Sequence, residues 1–232
     1  MFLRTPTFRS GGLKLSLTNT TKAALIKHDF EPVSYGNWFL IWTGDVYMKR
    51  LIVTGYKQHE LGIFDEKHPG ITYIKKAIEN QLLPLIDEGL EWVIISGQLG
   101  VEIWTAELII DLKKRNFPIK YAVITPFLDQ EKRWNEHNQE KYQSIIANTD
   151  FYTTVTKKPY EAPWQFIEKN KFLIRNADGL LLIYDEENEG SPKYIKELAE
   201  HYAEKHDFEI FIINGYDLQV IAEEEQANQD FY

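Results

Sequence analysis

The chain has 232 residues, 44% of them hydrophobic, a formal net charge of −9 and no cysteine. That length supports one sizeable core plus a small extra segment, and the missing thiols exclude disulfides, thiolate zinc sites and a cysteine nucleophile. No apolar run reaches membrane-span length, and an acidic chain without a dense Lys/Arg block is not a default nucleic-acid binder, which leaves a soluble cytoplasmic protein as the plain reading.

Residues 1–47 differ from the rest. No acid occurs between Met1 and His28, while Arg4, Arg9, Lys14, Lys22 and Lys27 are scattered among Ser, Thr and Gly. Periodicity is confined to the aromatic patch Trp38-Phe39-Leu40-Ile41-Trp42. Met48-Lys49-Arg50-Leu51-Ile52-Val53-Thr54-Gly55 then reads as the opening of an α/β domain. We take Met48 as the domain start and the upstream stretch as an over-extended reading frame; a transit peptide and a disordered extension are the alternatives.

From Met48 strands and helices alternate. Residues 51–54 form a first strand, ended by Gly55; apolar spacing over 73–86 predicts a helix that closes near Gly89. Residues 93–95 are the second strand and 101–112 the next helix. The third strand, 121–124, stops at Thr125-Pro126. A helix over 140–147, a short strand over 152–155 and a helix from Pro163 to 174 follow, proline being suited to a first turn. The continuous apolar run 179–184 is a fifth strand of a sheet buried on both faces. A helix from Ser191-Pro192 to 203 and a strand over 209–213 close the set. The pattern predicts an α/β fold, a Rossmann-like, doubly wound, mostly parallel sheet with helices on both faces. The domain spans 48–222; the chain after Asp217 is acidic and expected to fray, with 223–232 as an acidic tail.

In a parallel sheet all strand ends converge on one edge, where ligands bind. The strongest signal there is Ser96-Gly97-Gln98-Leu99-Gly100-Val101-Glu102, a strand–loop–helix junction. Its backbone amides suit a phosphate, and Gly97 and Gly100 permit close approach. Glu102 would accept from ribose hydroxyls, or merely favour the helix dipole. Trp104, just beyond, is either core packing or a stacking platform. The run is neither a dinucleotide fingerprint nor a P-loop.

The other strand ends add Thr54, Gly55, Tyr56 and Gly62; Pro126; and Gly190-Ser191-Pro192, an ordinary N-cap or a second anion site. Trp134 lies in a polar loop and is a candidate lid or ring-stacking residue. His59 and His68 have no metal-ligand partner at useful spacing, so no metal is assigned. Glu102 is the one candidate catalytic carboxylate, able to stabilise an oxocarbenium-like state in N-glycosidic chemistry, but no partner acid stands beside it.

Thr54-Gly55-Tyr56-Lys57, Glu60-Leu61-Gly62-Ile63-Phe64, Ser96-Gly97-Gln98-Leu99-Gly100-Val101-Glu102, Val123-Ile124-Thr125-Pro126-Phe127, Asp178-Gly179-Leu180-Leu181-Leu182 and Glu189-Gly190-Ser191-Pro192-Lys193-Tyr194 occur in order. In these the chain resembles the YpsA family of low-GC Gram-positive bacteria, from Met48 to about Ala222; residues 1–47 have no counterpart. The resemblance implies membership of the SLOG superfamily, Rossmann-like domains related to LOG phosphoribohydrolases and to DprA. It implies a nucleotide-derived ligand, NAD or ADP-ribose, at the glycine loop, with Gly100 and Glu102 on the pocket motif, and a link to cell division through a protein partner. LOG enzymes carry Pro-Gly-Gly-x-Gly-Thr-x-x-Glu; this chain departs from that motif, so their hydrolase activity is not transferred. A homodimer follows only by analogy with LOG proteins.

Three functions are therefore expected in descending order. The first is a sensor that binds a small nucleotide without turnover, the second an N-glycosidase or phosphoribohydrolase using Glu102, and the third a DprA-like single-strand DNA binder, for which a basic, aromatic groove is the signature.

Overall fold

Six short segments, most of them apolar, satisfy their backbone hydrogen bonds by lying side by side, and they do so in one sheet. The structure is a computed structural model and describes residues 48–229; the readings placed on 1–47 and on the last three residues lie outside the described residues.

The strands are β1 (Arg50–Gly55), β2 (Trp92–Ile95), β3 (Lys120–Thr125), β4 (Phe151–Thr154), β5 (Gly179–Ile183) and β6 (Glu209–Ile213). Their order is β4-β3-β2-β1-β5-β6, every pair parallel. Ile52 pairs with Ile94 on one side and Leu180 on the other. The central residues Ile52, Val53, Val93, Ile94, Leu180 and Leu181 are fully buried. Each such side chain contributes about 1.5–3 kcal/mol relative to an exposed one. This is why these runs are continuously apolar rather than alternating.

The helices are α1 (Pro69–Asp87), α2 (Val101–Lys114), α3 (Glu136–Asn148), α4 (Trp164–Arg175), α5 (Lys193–Ala203) and α6 (Gly215–Gln229), with a 3₁₀ turn at Gln130–Arg133. α1 packs against α2 and α6, and α2 against α3, while α4 packs with α5. That is the two-layer split that right-handed crossovers produce when the chain runs outward from β1 to β4 and then returns to β5. The reversal of direction lies between β1 and β5.

Three boundaries differ from expectation by more than two residues. α1 begins at Pro69 because His68 caps it, its Nδ1 accepting the Gly70 N–H at 3.1 Å. α3 begins at Glu136 because Asn135 Oδ1 accepts the Asn138 N–H at 2.8 Å. Its first turn is wholly polar, so apolar spacing alone misses it. The stretch after Asp217, expected to fray, continues as α6 to Gln229, and that helix packs on α1.

Candidate functional site

The chain leaves β2 at Ser96, turns at Gly97 (φ 75°) and enters α2 from Gly100 (φ 116°). These positive φ values favour glycine. The close approach that the two glycines permit is made by the protein itself. A Cβ on Gly97 would lie 2.9 Å from the Tyr142 ring, and one on Gly100 would lie 2.5 Å from Gln58 N and 2.6 Å from Tyr56 O. The β1–α1 loop crosses there: Gln58 N–H donates to Leu99 O at 3.1 Å, and Val101 N–H to Tyr56 O at 3.2 Å.

Glu102 is 4% exposed. Its carboxylate accepts the Thr54 hydroxyl at 2.6 Å, the Ser96 N–H and hydroxyl at 2.8 Å each, and the Gln98 N–H at 2.9 Å. The Ser96 and Gln98 amides, which the sequence offered to a phosphate, are thus taken by the protein's own carboxylate. Lys169, from α4, is also buried, with Nζ 3.4 Å from Ser96 Oγ. Burial holds its pKa below the usual lysine range; Glu102 opposes that shift and Lys57 adds to it. Sequence reasoning passed over Lys169. The available signal was the Gln165, Lys169, Leu173 stripe at i, i+4, i+8, which puts two polar residues on a buried face.

The crevice between β1 and β5, where ligands commonly sit on such sheets, is filled from within. Tyr56, 4% exposed, accepts the Asp185 N–H at 3.0 Å and is within hydrogen-bond reach of the Asp185 and Asn188 carbonyls. Glu60 accepts the Ser191 N–H at 2.7 Å, the Ser191 hydroxyl at 2.8 Å and the Lys57 N–H at 2.7 Å. The second anion site expected at Gly190-Ser191 therefore holds the Glu60 carboxylate. Gly190 makes room for the Tyr56 ring, which a Cβ would approach to 2.8 Å. Gly55 does the same for Ile183 across the β1–β5 pair.

Open space flanks the glycine loop instead. On one side is a cleft of about 440 Å³. Gln98 and Trp134 line it, with Lys132 and Arg133 at the 3₁₀ turn and Phe127, Tyr160 and Phe166 as an aromatic wall. Phe127 lies 5.0 Å from Tyr160 and 5.5 Å, edge-on, from Phe166 (centroid distances). Trp134 is braced edge-on against Tyr142 at 5.4 Å. The two loops that carry the wall are tied by Leu128 N–H to Lys158 O at 2.8 Å and by the Thr156 hydroxyl to Pro126 O, also at 2.8 Å. Pro126 thus supports the cleft without lining it.

On the other side is a cavity of about 200 Å³, walled by Leu99, Gly100 and the buried Trp104. Glu66 closes over it, 3.0 Å from both His137 Nε2 and Lys141 Nζ. Gly62 (φ 65°) serves an open turn and lines neither space. Apart from Gly62 and Pro126, the predicted residues therefore separate into four places: a buried clamp (Thr54, Ser96, Gly97, Glu102), a closed crevice (Gly55, Tyr56, Gly190, Ser191), a small cavity (Gly100, Trp104) and an open cleft (Gln98, Trp134).

Residues 51–218 match the family model described as the YspA SLOG family, YpsA. The chain belongs to the YpsA SLOG family. A UPF0398 protein of Lysinibacillus sphaericus is 69% identical over 175 residues, covering 75% of this chain and 98% of the relative. The UPF0398 protein YpsA of Bacillus subtilis is 51% identical over 178 residues, covering 77% of this chain and 99% of YpsA. Among solved structures, the single-stranded DNA-binding DNA processing protein A from Helicobacter pylori matches at 17% identity and a TM-score of 0.44, covering 73% of this chain and 68% of that one. The YpsA SLOG match takes in every strand from Leu51 onward and both spaces beside the glycine loop. No helix among the described residues is long and apolar enough to cross a membrane.

Proposed function

We propose that this chain binds a nucleotide-derived ligand of the NAD or ADP-ribose type in the cleft between Gln98, Trp134 and Tyr160, and serves as a sensor whose loaded state a protein partner reads. Following the resemblance to YpsA, we place that readout in cell division. One observation carries the reading: an aromatic-walled cleft at the carboxyl edge of β2 and β3, with Lys132 and Arg133 beside it. Aromatic faces take a base, and cations beside them take phosphates. At the β1–β5 crevice the equivalent contacts are already made by Tyr56 and Glu60.

Glu102 supports the sensor over the hydrolase. A carboxylate that is buried and already holds four donors is a poor nucleophile, because attack would strip those hydrogen bonds from Ser96, Gln98 and Thr54.

Calorimetric titration of the full chain with ADP-ribose and NAD tests the reading, with the ligand recovered and weighed by mass spectrometry. The expected result is saturable binding, weakened roughly 5- to 100-fold by Trp134→Ala, with the ligand recovered intact. Release of free base would establish an enzyme, and absence of binding would overturn the reading.

A further inference from the structure

Gln98 lines the cleft, and the orientation of its amide is set by a relay that ends on backbone carbonyls. Gln130 is 7% exposed. Its Nε2 donates to Ser96 O at 2.8 Å and lies 3.3 Å from Gly97 O. The reverse orientation would bring Gln130 Oε1 against the Ser96 carbonyl, oxygen to oxygen, so the Gln130 amide has one allowed sense. Its Oε1 accepts from Gln98 Nε2 at 2.8 Å. Turning the Gln98 amide over would set its oxygen against Gln130 Oε1, so this amide is locked as well. The backbone of Gln98 is held independently, by its N–H on Glu102. Among the described residues no protein donor takes Gln98 Oε1. The residue therefore offers the cleft a fixed acceptor, together with the second hydrogen of Nε2.

Resting on the nucleotide reading, we infer that Gln98 reads the base and selects adenine over 6-oxopurines. Adenine presents a 6-amino donor next to a ring-nitrogen acceptor, the complement of an amide's acceptor and donor. Guanine and hypoxanthine present a carbonyl at the same position, which would face Gln98 Oε1. A free glutamine would turn over to greet that carbonyl. This one is prevented by Gln130, and through Gln130 by the Ser96 and Gly97 carbonyls. Trp134 and the Phe127–Tyr160–Phe166 wall supply the base-independent part of the affinity, and Gln98 the discrimination.

The test is titration of the full chain with AMP, IMP and GMP, and of Gln98→Met with the same three. Wild type should bind AMP at least about tenfold more tightly than IMP or GMP. Gln98→Met should bring the three to within about twofold of one another while still binding AMP. Gln98→Asn, which keeps the amide but withdraws it by one methylene, should shrink the ratio likewise and replaces the methionine variant if that fails to fold. Equal binding of the three nucleotides by wild type, or a preference unchanged in the variants, overturns the role of Gln98 and leaves the nucleotide reading in place. No binding of AMP, IMP, GMP or ADP-ribose overturns both.

Discussion

Thr54 Oγ1 lies 2.6 Å from Glu102 Oε1, joining the end of β1 to the first turn of α2 across 48 positions of sequence. With the Ser96 and Gln98 amides on the same carboxylate, this contact makes Glu102 the tie between two strand ends and a helix. Glu102→Gln replaces one acceptor oxygen with an NH₂ that must face a donor, and it removes the negative charge that opposes the effect of burial on Lys169. The expected cost is about 2–4 kcal/mol of folding stability, read as a lower urea midpoint at unchanged slope. An unaltered midpoint would show that the carboxylate is not a structural tie.

Gly100→Ala should be at least as damaging. The new methyl meets Gln58 N and Tyr56 O well inside contact distance, at a φ of 116° that alanine resists. A loss of about 3 kcal/mol or more is expected, with early proteolysis of the β1–α1 loop. Loss of ligand binding in this variant would accordingly follow from backbone displacement, whereas Trp134→Ala reports on the cleft itself. A Gly100→Ala protein as stable as wild type would contradict the crossing of the two loops.

Lys132 and Arg133 are solvent-facing residues of the 3₁₀ turn beside the cleft. Exposed cations act through screened fields, so alanine at either position should weaken ADP-ribose roughly two- to fivefold at low salt, and by less at high salt. Adenosine, which carries no phosphate, should lose nothing. A salt-independent effect, or an equal loss for both ligands, would place the phosphates elsewhere.

The Glu60 carboxyl should give the closed crevice a pH dependence. Burial pushes its pKa up, but hydrogen bonds from the Lys57 N–H and from the Ser191 N–H and hydroxyl outweigh that and leave it below 4.5. The folded value is thus below the unfolded one. Its contribution is complete above pH 4.5 and is lost as pH falls through the folded value. Wild type should lose stability more steeply than Glu60→Gln on acidification from about pH 5 to about pH 3, as measured by thermal unfolding at each pH. Parallel curves would mean that the Ser191 contact carries no linked proton.

The sequence by itself determined the sheet and the edge that matters. Continuous apolar runs such as Leu180-Leu181-Leu182 suit only strands covered on both faces, and the helical spacing between such runs requires parallel crossovers. Strand ends then gather on one side whatever their order, so Gln98, Trp134 and Ser191 were all legible as edge residues. Where an element is set by a single polar cap, as with Asn135 before α3 or His68 before α1, periodicity missed its first turn.

Which edge residues face open space was decided only by the tertiary structure. A glycine next to a helix looks the same in sequence whether it admits a ligand or the protein's own backbone, and Gly100 admits the Tyr56–Gln58 backbone. A carboxylate in a first turn looks the same whether it is free or bound, and Glu102 is bound by donors from β1 and from the end of β2. Lys169 and Gln130 come from segments 73 and 34 positions away from Ser96. Hydrogen-bond partners that far apart are brought together by the order of the strands, and strand order leaves no local mark on the chain.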